Sequence, residues 1–383
     1  MERLDAYARL LDEGEHRRIG AAVLASAYTP ARPSEVWRNK ADGRKKLVFR
    51  HEPADELLFR VLNRLLQPEA EAAASPWCRS FLPGGGARAA VGDLAALPGR
   101  ADLSAARFDV RDYFNSIDVD DLLARLPPAF AAGPVGALLR AALLPEPRAG
   151  VRAGTPLAPL LATLYLADVD DEVAAGVTAY RRYSDDIVLV GSPDAVAAGS
   201  ALVRARLGER GLAVNEAKSA LAAPGEPWDY LGFRFSTAGV GLSPVTVRKF
   251  RSKSTRLARG LLRWRETRGA GVERTTAAFV RSTNRRLYGV ADERARFSWA
   301  TWFLPVLEGP DELRPLDEHV RREARYAATG RRTDSARAAV PHAALLDAGH
   351  LPLVAAWWAG RSGRDAYEAL VARRTGLVAQ PAG

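Results

Sequence analysis

At 383 residues, 48% of them apolar, the chain is long enough to bury the cores of two or three packed units. Its 55 Lys and Arg against 45 Asp and Glu leave a net charge of +10, which suits a polyanionic partner without identifying one. One cysteine, Cys78, excludes an internal disulfide framework and points to a reducing cytoplasm, and no signal peptide or bilayer-length apolar run is legible.

In chain order, residues 1–39 read as an N-terminal helical extension. Ala106 to Val110 then reads as a strand with Asp109 near its carboxyl end, turning through Asp112, Tyr113 and Phe114 into a helix capped around Asp118. Asp120 and Asp121 open the helical pattern VDDLLARL, where acids in the first turn complement the helix dipole. Asp170 and Asp171 sit near the polar end of an apolar helix, and both pairs are read as structural. That apolar helix, around Leu157 to Val169, is too short and too broken by proline to span a bilayer.

Asp185 and Asp186 differ from those pairs. VTAYRRY before them is rich in β-branched and aromatic residues, and IVLVG after them is a short apolar run closed by glycine, so the two acids fall at a tight hairpin. Neighbouring buried carboxylates repel one another and take up a proton unless a cation holds them ionised, and a hard ion such as Mg²⁺ prefers oxygen ligands. Two-metal phosphoryl transfer needs a further carboxylate from another element, and Asp109, on a strand that could lie beside the hairpin, is the candidate. His16, His51, His319, His342 and His350 have no metal-ligand spacing, so no zinc or nuclease module is readable.

Charge is concentrated between Val245 and Val290, which hold thirteen basic and two acidic residues. RKFRSKSTRLARGLLRWRE within it reads as a helix with Phe250, Leu257, Leu261 and Trp264 on one side and Arg and Lys free for phosphates on the other. Farther on, LDEHVRREARYAATGRR and YEALVARR are amphipathic.

Several of these stretches together resemble bacterial reverse transcriptases related to group II intron proteins and to the defence-associated, abortive-infection type. FDVRDYF resembles their first palm motif, GTPLAPLLATLYLADVD (Gly154 to Asp170) the second, YSDD the third and GLAVNEAKS (Gly211 to Ser219) the fourth. WDYLGFRFS, Trp228 to Ser236, is similar to the strand pair that supports the primer end. RKKLVFRHEPADELLFRVLNRLL and SPWCRSFLPGGGARAAV are similar to the fingers, so the resemblance runs from about Arg44 to Arg286. Relatives often carry glutamine and asparagine where this chain has Leu157 and Thr163.

The resemblance implies an α+β right-hand polymerase: fingers at 40–100, a ferredoxin-like antiparallel palm at 101–243, a helical thumb at 244–310 and a C-terminal helical extension at 311–383. It implies two Mg²⁺ ions, replaceable by Mn²⁺, held by Asp109, Asp185, Asp186 and the Val110 carbonyl. Lys218 would protonate the leaving pyrophosphate, Phe114 would exclude a 2′-hydroxyl, and Arg111, Asp112, Tyr113, Pro156 and Leu157 would line the nucleotide. Arg248, Lys249, Arg251, Lys253, Arg256 and Arg259 would grip the nucleic acid. Partners would be an RNA template, a DNA or RNA primer, dNTPs and a dedicated non-coding RNA, with no membrane. The expected activity is RNA-directed DNA synthesis in anti-phage defence. Template-independent or protein-primed nucleotide addition and a non-catalytic RNA-binding scaffold are the alternatives.

Overall fold

Residues 2–39, 45–145, 150–289 and 298–376 are described in the computed structural model of the chain, a mixed α and β protein whose strands pair antiparallel. Two units, Met1–Glu226 and Pro227–Gly383, are each packed around their own contacts. Arg44, and residues 290–297 and 377–383 of the segments assigned above to thumb and C-terminal extension, lie outside the described residues.

In the first unit, helices Glu2–Asp12 and Glu15–Leu24 precede a hairpin of Ser34–Asn39 (β1) and Lys45–Arg50 (β2), with Trp37 opposite Leu47. The helical reading of residues 1–39 therefore fails at its end. Val36 and Trp37 favour extended backbone, and cross-strand pairing with β2 decides the outcome.

Its central sheet has four strands, Ser104–Asp109 (β3), Ala179–Tyr183 (β4), Asp186–Gly191 (β5) and Ala220–Ala222 (β6), in the order β4-β5-β3-β6. Strand alternation sorts the side chains. Ala106, Phe108, Tyr180, Ile187 and Leu189 enter the core, against helices Ala158–Tyr165, Ala167–Ala174 and Pro193–Glu209. Arg107, Asp109, Tyr183 and Asp186 stand on the other face. The free edge of β4 is closed by the segment around Cys78: Arg79 donates its amide to the Arg182 carbonyl at 2.9 Å and Arg182 donates to Trp77 at 3.2 Å. Helix Ala87–Ala95 packs on β4, where Asp93 accepts from Arg181 at 2.7 Å and from Arg79 at 2.8 Å.

The second unit begins with a three-stranded meander, Trp228–Tyr230 (β7), Phe233–Ser236 (β8) and Gly239–Leu242 (β9). A 25-residue helix, Pro244–Arg268, follows; Ser243 caps it by accepting from the Thr246 amide at 3.2 Å, and Gly269 ends it in the left-handed conformation. Its fully buried line is Thr246, Phe250, Ser254 and Ala258, while Leu257, Leu261 and Trp264 are only half-buried. This corrects the expected apolar stripe. Small residues at Ser254 and Ala258 let helix Leu313–Thr329 lie close along it, so close packing rather than side-chain size sets the inner face. Asp317 of that second helix caps another, Leu353–Ser362, accepting from the Leu353 and Val354 amides at 2.7 and 3.1 Å.

Candidate active site

Antiparallel register brings the sequence-distant acids together. Asp109, last in β3, lies opposite Asp186, first in β5. Tyr183 pairs with Asp186, so the hairpin turn is only Ser184 and Asp185, and Ser184 adopts the left-handed backbone that such tight turns demand. The Val110 amide donates to the Asp185 carbonyl at 2.9 Å and ties the turn to the end of β3.

Beneath the turn lies a buried ionic support. Arg182 donates to Asp170 through Nε and Nη2 at 2.7 and 2.6 Å and to the Thr163 carbonyl at 2.9 Å, and the Tyr180 hydroxyl also donates to Asp170 at 2.7 Å. Burial works against the Arg182 charge, but Asp170 together with Cys78 and Tyr113 drives the guanidinium pKa up. The same guanidinium reaches the Ser184 carbonyl at 3.4 Å, and the Ser184 amide donates to Ser80 Oγ at 2.6 Å. Asp170 is thus a structural residue, and the turn is fixed from two sides.

Asp109 is almost fully buried and fully engaged. Asn215 Nδ2 donates to its Oδ1 at 2.9 Å, Lys218 Nζ pairs with its Oδ2 at 2.6 Å, and its backbone carbonyl accepts from the Asn215 amide at 2.7 Å. The Arg111 amide bonds the Ala213 carbonyl at 2.8 Å, and Val110 bridges Val214, so Gly211 to Ser219 is strapped beside β3. Asp185 is pushed up by burial and by Asp109, against the pull of its own backbone amide, Lys218 and Lys46. Asp186 rises to about 6, first through burial and then through Asp185, with Arg107 opposing.

Two carboxylates raised in this way call for positive charge, and their hard oxygen donors suit a divalent ion. Yet among the described residues no three His, Cys, Asp or Glu side chains are gathered as a metal cluster. The backbone fits a metal site, while the Asp109 side chain is turned to Lys218 and Asn215; an ammonium stands where a cation's charge would be wanted.

The other candidate residues divide. Arg111 and Asp112 are exposed, Asp112 in left-handed backbone with Asn115 Nδ2 donating to both its oxygens at 3.2 and 3.3 Å. Phe114 is half-buried, with Lys46 Nζ 5.7 Å from its ring centroid. Gly154, at φ +106°, passes so close to β2 that a Cβ would stand 2.5 Å from the Phe49 carbonyl oxygen, which fixes the approach to half-buried Pro156. Leu157 is 1% exposed and packs in the core, and Tyr113 is likewise buried with its hydroxyl donating to Ala162 at 2.6 Å. Both side chains point into the core rather than to solvent. Arg248, Lys249, Arg251, Lys253, Arg256 and Arg259 are all exposed on their helix in the second unit.

Sequence reasoning passed over Asn215, Lys46, Ser80 and Phe81. Asn215 had a signal, standing three residues before Lys218 in GLAVNEAKS; Ser80 and Phe81 lie in SPWCRSFLPGGGARAAV, whose resemblance to the fingers gave neither a role, and only folding brings their loop to β4.

Residues 55–235 match the family model described as reverse transcriptase (RNA-dependent DNA polymerase). Among solved structures, telomerase from Candida tropicalis, apo and truncated from the C-terminal domain, is similar at 11% identity, with 55% of each chain covered and a TM-score of 0.39. Telomerase from Candida albicans in complex with a fragment of telomeric RNA aligns over 93% of this chain and 68% of its own at 11% identity and a TM-score of 0.41. The foamy viral protease-reverse transcriptase in complex with double-stranded DNA aligns over 59% and 33% at 19% identity and a TM-score of 0.32. This chain thus spans about half of the first of these structures and a third of the last. No curated protein matches the sequence. Residues 55–235, just under half of the chain, are thus similar to a reverse transcriptase domain.

Proposed function

We propose that the protein extends a primer 3′-hydroxyl with dNTPs on an RNA template, with the segments assigned above acting as fingers, palm and thumb. The observation that carries this reading is the convergence of Asp109, Asp185 and Asp186 at one end of the sheet, inside the segment that matches that family model. These carboxylates and the Val110 carbonyl are the residues to hold two Mg²⁺ ions. Bound there, the ions would supply Lewis acidity to the primer hydroxyl and neutralise triphosphate charge.

The remaining roles belong to the chain itself. Lys218, half-exposed, is placed to leave Asp109 and give a proton to pyrophosphate. Phe114 lies as a flat wall beneath the sugar and favours deoxynucleotides. Arg111 and Asp112 flank the triphosphate, with Tyr113, Pro156 and Leu157 shaping that end through backbone. The exposed basic residues from Arg248 to Arg259 hold the template-primer backbone without reading sequence. The biological setting we favour is bacterial anti-phage defence, on the resemblance alone.

Purified protein with Mg²⁺, an RNA template, a DNA primer and dNTPs should add template-directed deoxynucleotides, and Asp185→Ala should abolish the addition. Extension that ignores the template, or that survives Asp185→Ala, would contradict the proposal.

A further inference from the structure

Phe81 combines three features that packing alone does not explain. It is a bulky residue in left-handed backbone, φ +55°, a conformation that L side chains rarely adopt. The residue is nevertheless 40% exposed. And its ring stands beside two other aromatic rings, with centroids 5.7 Å from Tyr183, which pairs with Asp186, and 6.4 Å from Phe114, tilted 39° and 60°.

The loop that carries it is built to stay put. The Arg79 amide is bonded to β4, and the Arg79 carbonyl accepts from Gly86 at 2.6 Å, closing the turn on itself. Ser80 Oγ holds the Ser184 amide of the acidic turn, and Gln67 Nε2 donates to the Phe81 carbonyl at 3.3 Å. Leu82 packs against the core, so the loop is anchored on both sides of Phe81. A strained backbone kept by surrounding bonds, displaying an apolar ring to solvent next to an acidic turn, is arranged for a ligand rather than for the core.

We infer that Phe81 is a stacking surface for a nucleobase at the active centre, either that of the incoming nucleotide or the unpaired base of the template. Every nucleobase has a π-face, so an aromatic ring serves without selecting sequence. The inference rests on the polymerase reading. The two fail separately: wild-type protein that extends no primer sinks the polymerase reading, whereas wild type that extends while the variant below matches it sinks only this one.

Phe81→Gly is the informative change because glycine accepts the left-handed backbone; the ring goes and the fold gains or keeps its stability. Two quantities are read in the full chain: KM for dNTP, and the affinity for primer-template with a one-nucleotide template overhang, normal or abasic. Stacking on the incoming base raises KM about ten-fold with kcat kept within about two-fold, and leaves overhang affinity alone. Stacking on the template base weakens overhang affinity about ten-fold and erases the difference between normal and abasic overhangs. In either case Phe81→Trp restores the wild-type value. Should Phe81→Gly lower the melting midpoint, Phe81→Asn, also at home in this backbone region, carries the same comparison. A variant of wild-type stability with unchanged KM and unchanged overhang affinity overturns the inference.

Discussion

Asp109 is held closely by its neighbours, with both carboxylate oxygens engaged by Asn215 and Lys218. Asn215 grips it twice, through Nδ2 to Oδ1 and through the backbone amide to the Asp109 carbonyl, so the carboxylate has little freedom to turn. Groups that orient a metal-binding carboxylate are worth about 10- to 100-fold in affinity or activity. Asn215→Ala should therefore lower primer extension by about that factor and raise the Mg²⁺ concentration giving half-maximal rate. A loss of rate with unchanged Mg²⁺ dependence would show that Asn215 does not act through Asp109. At this scale the hairpin that carries Asp185 and Asp186 was legible, from the β-branched and apolar runs that flank it. The partners of the acids and of their turn were less so: an asparagine and a serine bond through distances that spacing along the chain does not encode.

At the scale of the element, the acidic turn owes its shape to a pair that looks superficial in sequence. Arg182, flanked by Arg181 and Tyr183, reads as one more basic residue, yet it is fully buried and bonded to Asp170 on a helix packed beneath. Breaking such a pair leaves one charge without its partner, at a cost of about 3–5 kcal/mol, while replacing both residues with apolar ones of similar volume is often neutral. Asp170→Leu should lower unfolding stability by about that amount, and Asp170→Leu with Arg182→Met should recover most of it, as read in denaturant midpoints. Equal losses in the single and double variants would mean that Asp170 matters for its shape alone. The strands β3, β4 and β5 were readable from alternation and β-branched runs, and the Asp118 cap is realised, with the Asp121 amide donating to its Oδ1 at 2.9 Å. What alternation could not convey was how a helix is packed: the inner line through Ser254 and Ala258 is visible only with the Leu313–Thr329 helix in place, and the strand at Ser34–Asn39 only with its partner.

For the whole molecule, the uneven charge is its most testable property. Arg251, Lys253 and Arg256 are exposed on one helix and available to phosphates. Each phosphate neutralised contributes about 0.9 to the slope of log affinity against log salt on duplex DNA. Neutralising all three should therefore flatten that slope for primer-template by about 2–3, with base sequence making no difference. An unchanged slope would mean that the duplex lies elsewhere. Among the described residues no helix is long and apolar enough to cross a membrane.

The account stands on the three acids holding metal together, and counting bound ions tests this apart from turnover. Mn²⁺ titrated into the protein with primer-template and an unreactive dNTP analogue, and followed by electron paramagnetic resonance, should give two ions per chain in the wild type and no more than one in Asp185→Asn. Two ions retained by that variant with undiminished affinity would contradict the assignment.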